Sequence, residues 1–291
     1  MKIHAISTGQ VKITQSWQVG GEGDPLRLVH ALADRRFTDW LPIFCYVVEH
    51  PEGLIVIDTG IPANANDAVW FPPWMRLVQK AAFFDEMTPE EEVGPQLQRR
   101  GLSTKDVRWV VMTHLHQDHD GGLQHFPKAE ILIARAEWKA ATGLRGRLTG
   151  YLNQRWPRWL APRLIDFEAG PHHGFSSSYS LTRRGDVQLV PTPGHSAGHL
   201  SILLEEDDHV VCFAGDASYS QELLLRDAID GIGPDPIAEH HSHQKLLQLA
   251  RETRTIYLPA HEWDAERRLV QREPIPAGST LSLPAKEPSH A

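Results

Sequence analysis

Thr113-His114-Leu115-His116-Gln117-Asp118-His119-Asp120-Gly121-Gly122 is the stretch on which the reading of this chain turns. It places His114, His116, Asp118 and His119 close together, directly after the apolar run Val107 to Met112, broken by Arg108, which reads as a buried strand. A loop leaving a strand end can turn imidazoles and a carboxylate toward two neighbouring points, and those are donors that divalent metal ions take. A solvated polar turn accounts for any single histidine. It does not account for three of them with an aspartate, held between a buried strand and a Gly-Gly turn.

Upstream of this loop, Met1 to Ser7 and Val11 to Gln15 read as two short strands, followed by a bend at Gly20, Gly21 and Gly23. PIFCYVVEH, the turn HPEG and LIVIDTG form a hairpin whose second arm ends at Asp58, Thr59 and Gly60. Helices are expected near Trp74 to Phe84 and from Pro89 to Gly101. Downstream, Ile131 to Ala134 is a strand and Arg135 to about Thr142 a helix. Residues 143–180 mix Arg, Trp, Pro and His with little period and read as an irregular, partly helical insertion. DVQLVPT, HLSILLE and HVVCFAGD are strands; a helix from about Ile237 to Thr253, the strand IYLP and a helix after His261 follow. Two groups of strands, each followed by helices, predict two sheets packed face to face with helices outside. No segment has the composition of an interdomain linker, so residues 1–273 are expected to form one domain, with a loose tail over 274–291.

Composition limits the partners. The chain has 291 residues, 41% hydrophobic, which is enough for a substantial core, and a formal charge of −8, which argues against broad binding to nucleic acid or anionic lipid. MKIHAISTGQ lacks the apolar core of a signal peptide, and the longest apolar run, LPIFCYVV, falls far short of the roughly 20 residues that cross a bilayer. A soluble, cytoplasmic protein is the expectation. Cys45 and Cys212 lie inside apolar strands and read as core residues, with no disulfide or zinc-ribbon framework. His240, His241 and His243 fall on different faces of a helix start and read as solvated.

The metal loop resembles the His-x-His-x-Asp-His hallmark of the metallo-β-lactamase-fold superfamily of hydrolases, and the other hallmarks follow in order over about Pro42 to His261. LIVIDTG supplies a strand-ending Asp58, TPGHSAGH a turn histidine, CFAGDASY the strand-end Asp216 and YLPAHE the last histidine, His261. Between His195 and His199, the Pro-Gly turn favours His195, because His199 opens a strand. The resemblance implies an αββα sandwich of two mixed β-sheets flanked by helices. It also implies that His114, His116 and His195 hold one metal, that Asp118, His119 and His261 hold a second, and that Asp216 bridges them. Asp58 would then support the ligand loop.

Gly215-Asp216-Ala217-Ser218-Tyr219 is similar to the corresponding segment of the N-acyl homoserine lactonase branch, in which a tyrosine follows the bridging aspartate by three residues. Packing of the aromatic ring accounts for Tyr219 equally well from local pattern alone. The lactonase resemblance implies two divalent ions, zinc first and iron, cobalt or manganese as alternatives. A hydroxide bridging them would attack the lactone carbonyl, with Tyr219 supporting the carbonyl oxygen and Asp118 relaying a proton to the leaving alkoxide. A small-molecule lactone partner and a homodimer are implied by the same resemblance. A glyoxalase II-like thioester hydrolase and a mononuclear iron persulfide dioxygenase share the loop and stay open. The complete donor set argues against a non-catalytic binding protein. Trp70-Phe71-Pro72-Pro73-Trp74 with Phe83 and Phe84 is open to three readings: an acyl-chain pocket, a subunit edge or ordinary core. Trp138, Tyr151, Trp156 and Trp159 are a second candidate wall.

Overall fold

Strands buried on both faces organise the chain into two mixed sheets. The computed structural model describes residues 1–21, 23–67 and 70–276. Its first half runs β1 (Lys2–Ile13), α1 (Gln15–Gln18), α2 (Arg27–Ala33), β2 (Leu41–His50), β3 (Gly53–Ile57), α3 (Pro73–Ala82), β4 (Phe83–Glu86) and α4 (Val93–Arg99). Then come β5 (Val107–Val111), α5 (Gln117–Asp120), β6 (Glu130–Ala134), α6 (Arg135–Ala141), α7 (Gly143–Leu148) and β7 (Arg163–Ile165). The second half runs β8 (Tyr179–Ser180), β9 (Val187–Pro191), β10 (Leu200–Glu205), β11 (Val210–Gly215), α8 (Gln221–Leu225), α9 (Pro236–Glu252), β12 (Thr255–Pro259) and α10 (Asp264–Gln271).

One sheet has the order β4-β1-β2-β3-β5-β6-β7 and the other β12-β11-β10-β9-β8. Pairing is parallel from β3 through β7 and between β11 and β12, and antiparallel elsewhere, so both sheets are mixed. On β2, Phe44, Tyr46 and Val48 face the interior between the sheets, where they join Val111, Leu189, Ile202, Phe213 and Leu258. Cys45 and Val47, one residue out of phase, belong instead to the cluster with Val93 and Leu97 of α4. Val190, Leu203, Cys212 and Tyr257 pack likewise with Leu246, Leu247 and Leu249 of α9. Each sheet is thus covered on both faces, which is why the strands read as nearly continuous apolar runs. This is the expected αββα sandwich. The two cysteines are buried, and burial pushes both thiols well above their ordinary pKa.

Three local expectations change. The two N-terminal strands are one strand, β1, interrupted by a register shift between Ser7 and Gln10, because β2 pairs with it on both sides of the irregularity. The helix expected to reach Phe84 ends at Ala82; Phe83 to Glu86 pair with Gln10 to Ile13 as an edge strand, alternating buried and exposed residues. After the glycine bend, Arg27–Ala33 forms a helix that the sequence did not announce. The segment 143–180 carries α7, a 3-10 turn and β7, and reaches β8 at its end, so it takes the chain from the edge of one sheet to the edge of the other. The tail begins as a fixed segment: Ile275 is buried and its N–H donates to Thr255 O at 2.8 Å. Residues 277–291 of that tail lie outside the described residues.

The directions of β3, β5, β9, β11 and β12 bring all their C-terminal ends to one edge of the sandwich. Asp58, the 113–119 loop, His195, Asp216 and His261 each follow one of those ends.

Candidate metal centre

His114, His116 and His195 converge: His114 Nε2 and His195 Nε2 each approach His116 Nδ1 to 3.0 Å. A second group forms beside it, with His261 Nε2 at 3.5 Å and His119 Nε2 at 3.9 Å from Asp118 Oδ2. Asp216 lies between the groups. Its Oδ1 is 3.3 Å from His119 Nε2, and its Oδ2 is 3.3 Å from His261 Nε2 and 3.4 Å from His195 Nε2. The structure therefore brings together every residue that the sequence nominates as a ligand.

The far side of each ring decides what its near side offers. Asp58 accepts from Thr113 N at 2.8 Å and Thr113 Oγ1 at 2.7 Å, and from His119 Nδ1 at 2.8 Å. Since the Thr113 hydroxyl hydrogen is committed to Asp58, the neighbouring His114 Nδ1, 3.1 Å away, is the donor of that contact. His261 Nδ1 donates to the carbonyl of Pro42 at 2.8 Å, and His195 Nδ1 donates to Asp230 Oδ2. In each case the outer nitrogen is held from behind and Nε2 faces inward, the orientation a metal ligand needs. Asp58 adopts φ 56°, a left-handed conformation that aspartate tolerates better than most residues, and this turns its carboxylate back onto the loop.

Two atoms test whether ions fit. His119 Nε2 and Asp216 Oδ1 are buried with no hydrogen-bond partner, although they face one another. Unsatisfied buried polar atoms cost on the order of 1–3 kcal/mol each, and more for charged groups, and a bound cation removes that cost. The donor chemistry, imidazole nitrogen and carboxylate oxygen, fits divalent zinc, iron, cobalt or manganese. Burial and the surrounding imidazoles push His116 down to about 3, so it is neutral and ready to bind. Burial acts the same way on His195, but the carboxylate of Asp230 overrides it and raises the ring to about 9.

His199 is inside the site but has another task. Its Nε2 accepts from the backbone N–H of Asp216 at 3.0 Å, and its Nδ1 meets Thr192 Oγ1 at 2.9 Å. With its lone pair used, it cannot ligate. Gly215 makes this contact possible: at φ 56° it sits where a Cβ would come within 2.8 Å of His199 Nε2 and of Thr113.

Sequence reasoning missed the carboxylates that tie the loops together. Glu137, the third residue of α6, accepts from Leu115 N at 3.0 Å, Ser196 Oγ at 2.7 Å and Gly198 N at 3.0 Å, and so joins the 113–119 loop to the 192–199 turn. Asp230, which orients His195, is itself held by the backbone N–H groups of Ile232 and Gly233. His243 requires a correction. It was expected to be solvated, but it is fully buried, and its Nε2 donates to Ala217 O at 2.6 Å, bracing the turn after Asp216 against α9. A helix start that packs under a loop buries the face the sequence could not distinguish; His240 is half-buried against Asp227 and His241 alone is exposed.

Tyr219 is 4% exposed, with its ring centroid 5.4 Å from His261 and 5.9 Å from His195. Of the aromatic segment, Trp70, Phe71 and Phe83 are core, in one cluster with Tyr219 and Leu152. Trp70 Nε1 donates to Gln117 Oε1 at 3.1 Å, which fixes the first residue of α5. From the second wall, Tyr151 packs on His116 at 5.2 Å, and Trp138 stacks on Trp156, whose Nε1 donates to Asp120.

The sequence signature of the metallo-beta-lactamase superfamily matches residues 38–261. The chain belongs to that superfamily. Within it, the N-acyl homoserine lactonase of Bacillus cereus is 30% identical over 236 residues, 78% of this chain and 84% of the relative. A probable metallo-hydrolase of Mycobacterium tuberculosis is 31% identical over 211 residues, 70% of this chain and 66% of the relative. Among solved structures, an N-acyl homoserine lactone hydrolase with the product N-hexanoyl-L-homoserine at its catalytic metal center superposes with a TM-score of 0.73 at 27% identity, covering 91% of this chain and 95% of that one. The metallo-beta-lactamase fold thus extends beyond the matched segment to most of the chain.

Proposed function

We propose that this metallo-beta-lactamase superfamily member is a dinuclear metal-dependent lactonase that opens the ring of N-acyl homoserine lactones, giving the open-chain hydroxy acid. One observation carries the reading: the Asp216 carboxylate lies between two groups of imidazoles and keeps one buried oxygen unsatisfied. His114, His116 and His195 would hold one ion and Asp118, His119 and His261 the other, with the Asp216 carboxylate facing both groups. Zinc is our assignment. Two divalent ions bound here supply the Lewis acidity that polarises an ester carbonyl and brings the pKa of water toward neutrality.

The chain's own residues do the rest. Asp58, Asp230 and the Pro42 carbonyl keep the ligand rings aimed. Burial, with the carboxylates of Asp230, Asp216 and Asp118, raises the Tyr219 phenol well above its ordinary pKa, so it stays protonated and can donate to the substrate oxygen on which charge develops. Asp118, with its side chain 19% exposed, is with His116 one of the two ligand groups that are not fully buried, and is placed to pass a proton to the leaving alkoxide.

Among the described residues no helix is long and apolar enough to cross a membrane. The test is a ring-opening assay over acyl homoserine lactones, simple lactones, aryl esters, phosphodiesters and a thioester, with metal analysis of the same sample. Two equivalents of zinc and preference for the lactones support the reading. Thioester turnover, or one iron per chain with persulfide oxidation, moves the protein to the glyoxalase II-like or dioxygenase branch.

A further inference from the structure

The Tyr219 hydroxyl has a partner from the far end of the chain. Trp17 Nε1 donates to the Tyr219 oxygen at 3.0 Å, across 202 residues. An indole N–H donates and never accepts. The phenol oxygen is therefore the acceptor in this contact, and its own hydrogen must point away from Trp17. A free tyrosine hydroxyl can turn between orientations; this one has lost the orientation toward Trp17 and retains the other for a substrate oxygen.

Trp17 is itself fixed. Its backbone N–H donates to the Thr14 hydroxyl at 3.2 Å, capping α1, and its ring meets Phe83 edge-on at 5.7 Å. The carbonyl of Trp17 accepts from Gly231 N at 2.8 Å, and Gly20 N donates to Ile229 O at 2.8 Å. The approach is backbone against backbone: a Cβ on Gly231 would collide with Ser16 O, and one on Gly20 with Asp230 O. The same α1 segment thus clasps the loop whose Asp230 orients His195.

We propose that Trp17 is a positioning residue for ring opening: its indole N–H fixes the Tyr219 hydroxyl as a donor toward the substrate, while α1 keeps that donor in register with His195 through the Asp230 loop. The proposal rests on the lactonase reading and on Tyr219 as its donor. Trp17 acts through Tyr219, so its loss should appear in kcat. A residue that only lines an acyl pocket would appear in KM, and one that only packs would appear in stability.

A double-mutant cycle with Trp17→Phe and Tyr219→Phe, assayed on N-hexanoyl homoserine lactone with metal content and Tm measured alongside, decides it. Trp17→Phe keeps an aromatic ring and removes the N–H. It is expected to lower kcat about three- to tenfold, with KM within about twofold and metal content equal to the parent. In the Tyr219→Phe background the same change is expected to alter kcat by less than about 1.5-fold, because no hydroxyl remains to be aimed. A general loosening of the fold by Trp17→Phe acts equally in both backgrounds, so the cycle separates it from positioning. Equal losses in both backgrounds, or a raised KM with kcat unchanged, overturn the proposal while the lactonase reading stands. A Tyr219→Phe enzyme that works at the parent rate overturns the proposal and Tyr219 as the donor while the lactonase reading stands; a parent that opens no lactone overturns both.

Discussion

Among the described residues, two places bring three or more histidine and carboxylate donors within reach of one ion, and one of the two has the properties of a metal centre. His172, His173 and Glu205 come as close together as the buried group does, with both Nε2 atoms 2.9 Å from Glu205 Oε1. Yet both imidazoles donate to one carboxylate oxygen, the side chains are about a quarter exposed, and no atom of the trio is among the buried unsatisfied ones. The buried cluster has the opposite character. Its outer nitrogens are bonded to Asp58, Asp230, Thr113 and Pro42, and its inner atoms include two with no hydrogen-bond partner. Proximity of donors is cheap on a protein surface. Rings locked from behind, with their inner nitrogens left facing a dry interior, need a fold to hold them, because unsatisfied buried groups are costly without a ligand.

The contrast between the two clusters is greatest at Asp216. Asp216→Ala is expected to lose bound metal and lower kcat/KM by a thousandfold or more, on the order of the several kcal/mol that metal polarisation supplies. Elemental analysis beside a lactone assay checks this, and full activity with two metals retained would refute the bridging role. The two neighbouring histidines sharpen the contrast between ligating and bracing. His195→Ala should abolish activity together with metal at one site, while His199→Ala, which loses the bonds to Asp216 N and Thr192 Oγ1 but no ligand, should fall much less; the reverse order would exchange their roles.

Smaller effects belong to groups behind the rings. Asp230→Asn should weaken metal affinity about ten- to a hundredfold, measured by competition with a chromogenic chelator, since a neutral amide holds and polarises the His195 ring less than the carboxylate does. Tyr219→Phe should keep both metals and lower kcat about ten- to a hundredfold, more for lactones than for activated aryl esters, whose good leaving groups need less help. At the bottom of the series stands His172→Ala. Metal stoichiometry and kcat should match the parent; loss of a tightly bound metal equivalent would mean that the exposed trio is a site after all.

The fold was legible wherever local pattern and burial agree. β2 and β3 carry strong apolar runs around a tight turn, and the long α9 shows itself by length. β4 was hidden because four residues after a helix leave too short a window for alternation to register. β1 looked like two strands because the irregularity near Gly9 breaks the pattern while pairing with β2 continues past it. α2 follows a glycine bend and buries only Ala31, so it gave no apolar stripe.

What the sequence determined by itself is the donor set and its placement at strand ends, because ligands clustered in a short loop and after successive strands leave a dense local trace. What tertiary structure decided is which atoms of those donors face inward. Asp230 reaches His195 across 35 residues, Trp17 reaches Tyr219 across 202, and His261 is aimed by a carbonyl 219 residues away. A single Asp, Trp or backbone carbonyl has no distinctive spacing from its partner, so nothing local marks it. His199 and His195 are near neighbours in one turn, and the difference between a brace and a candidate ligand is set by whether the backbone N–H of Asp216 has already taken the lone pair. That depends on the register of β11 against β10, a property of packed sheets that no run of residues carries alone.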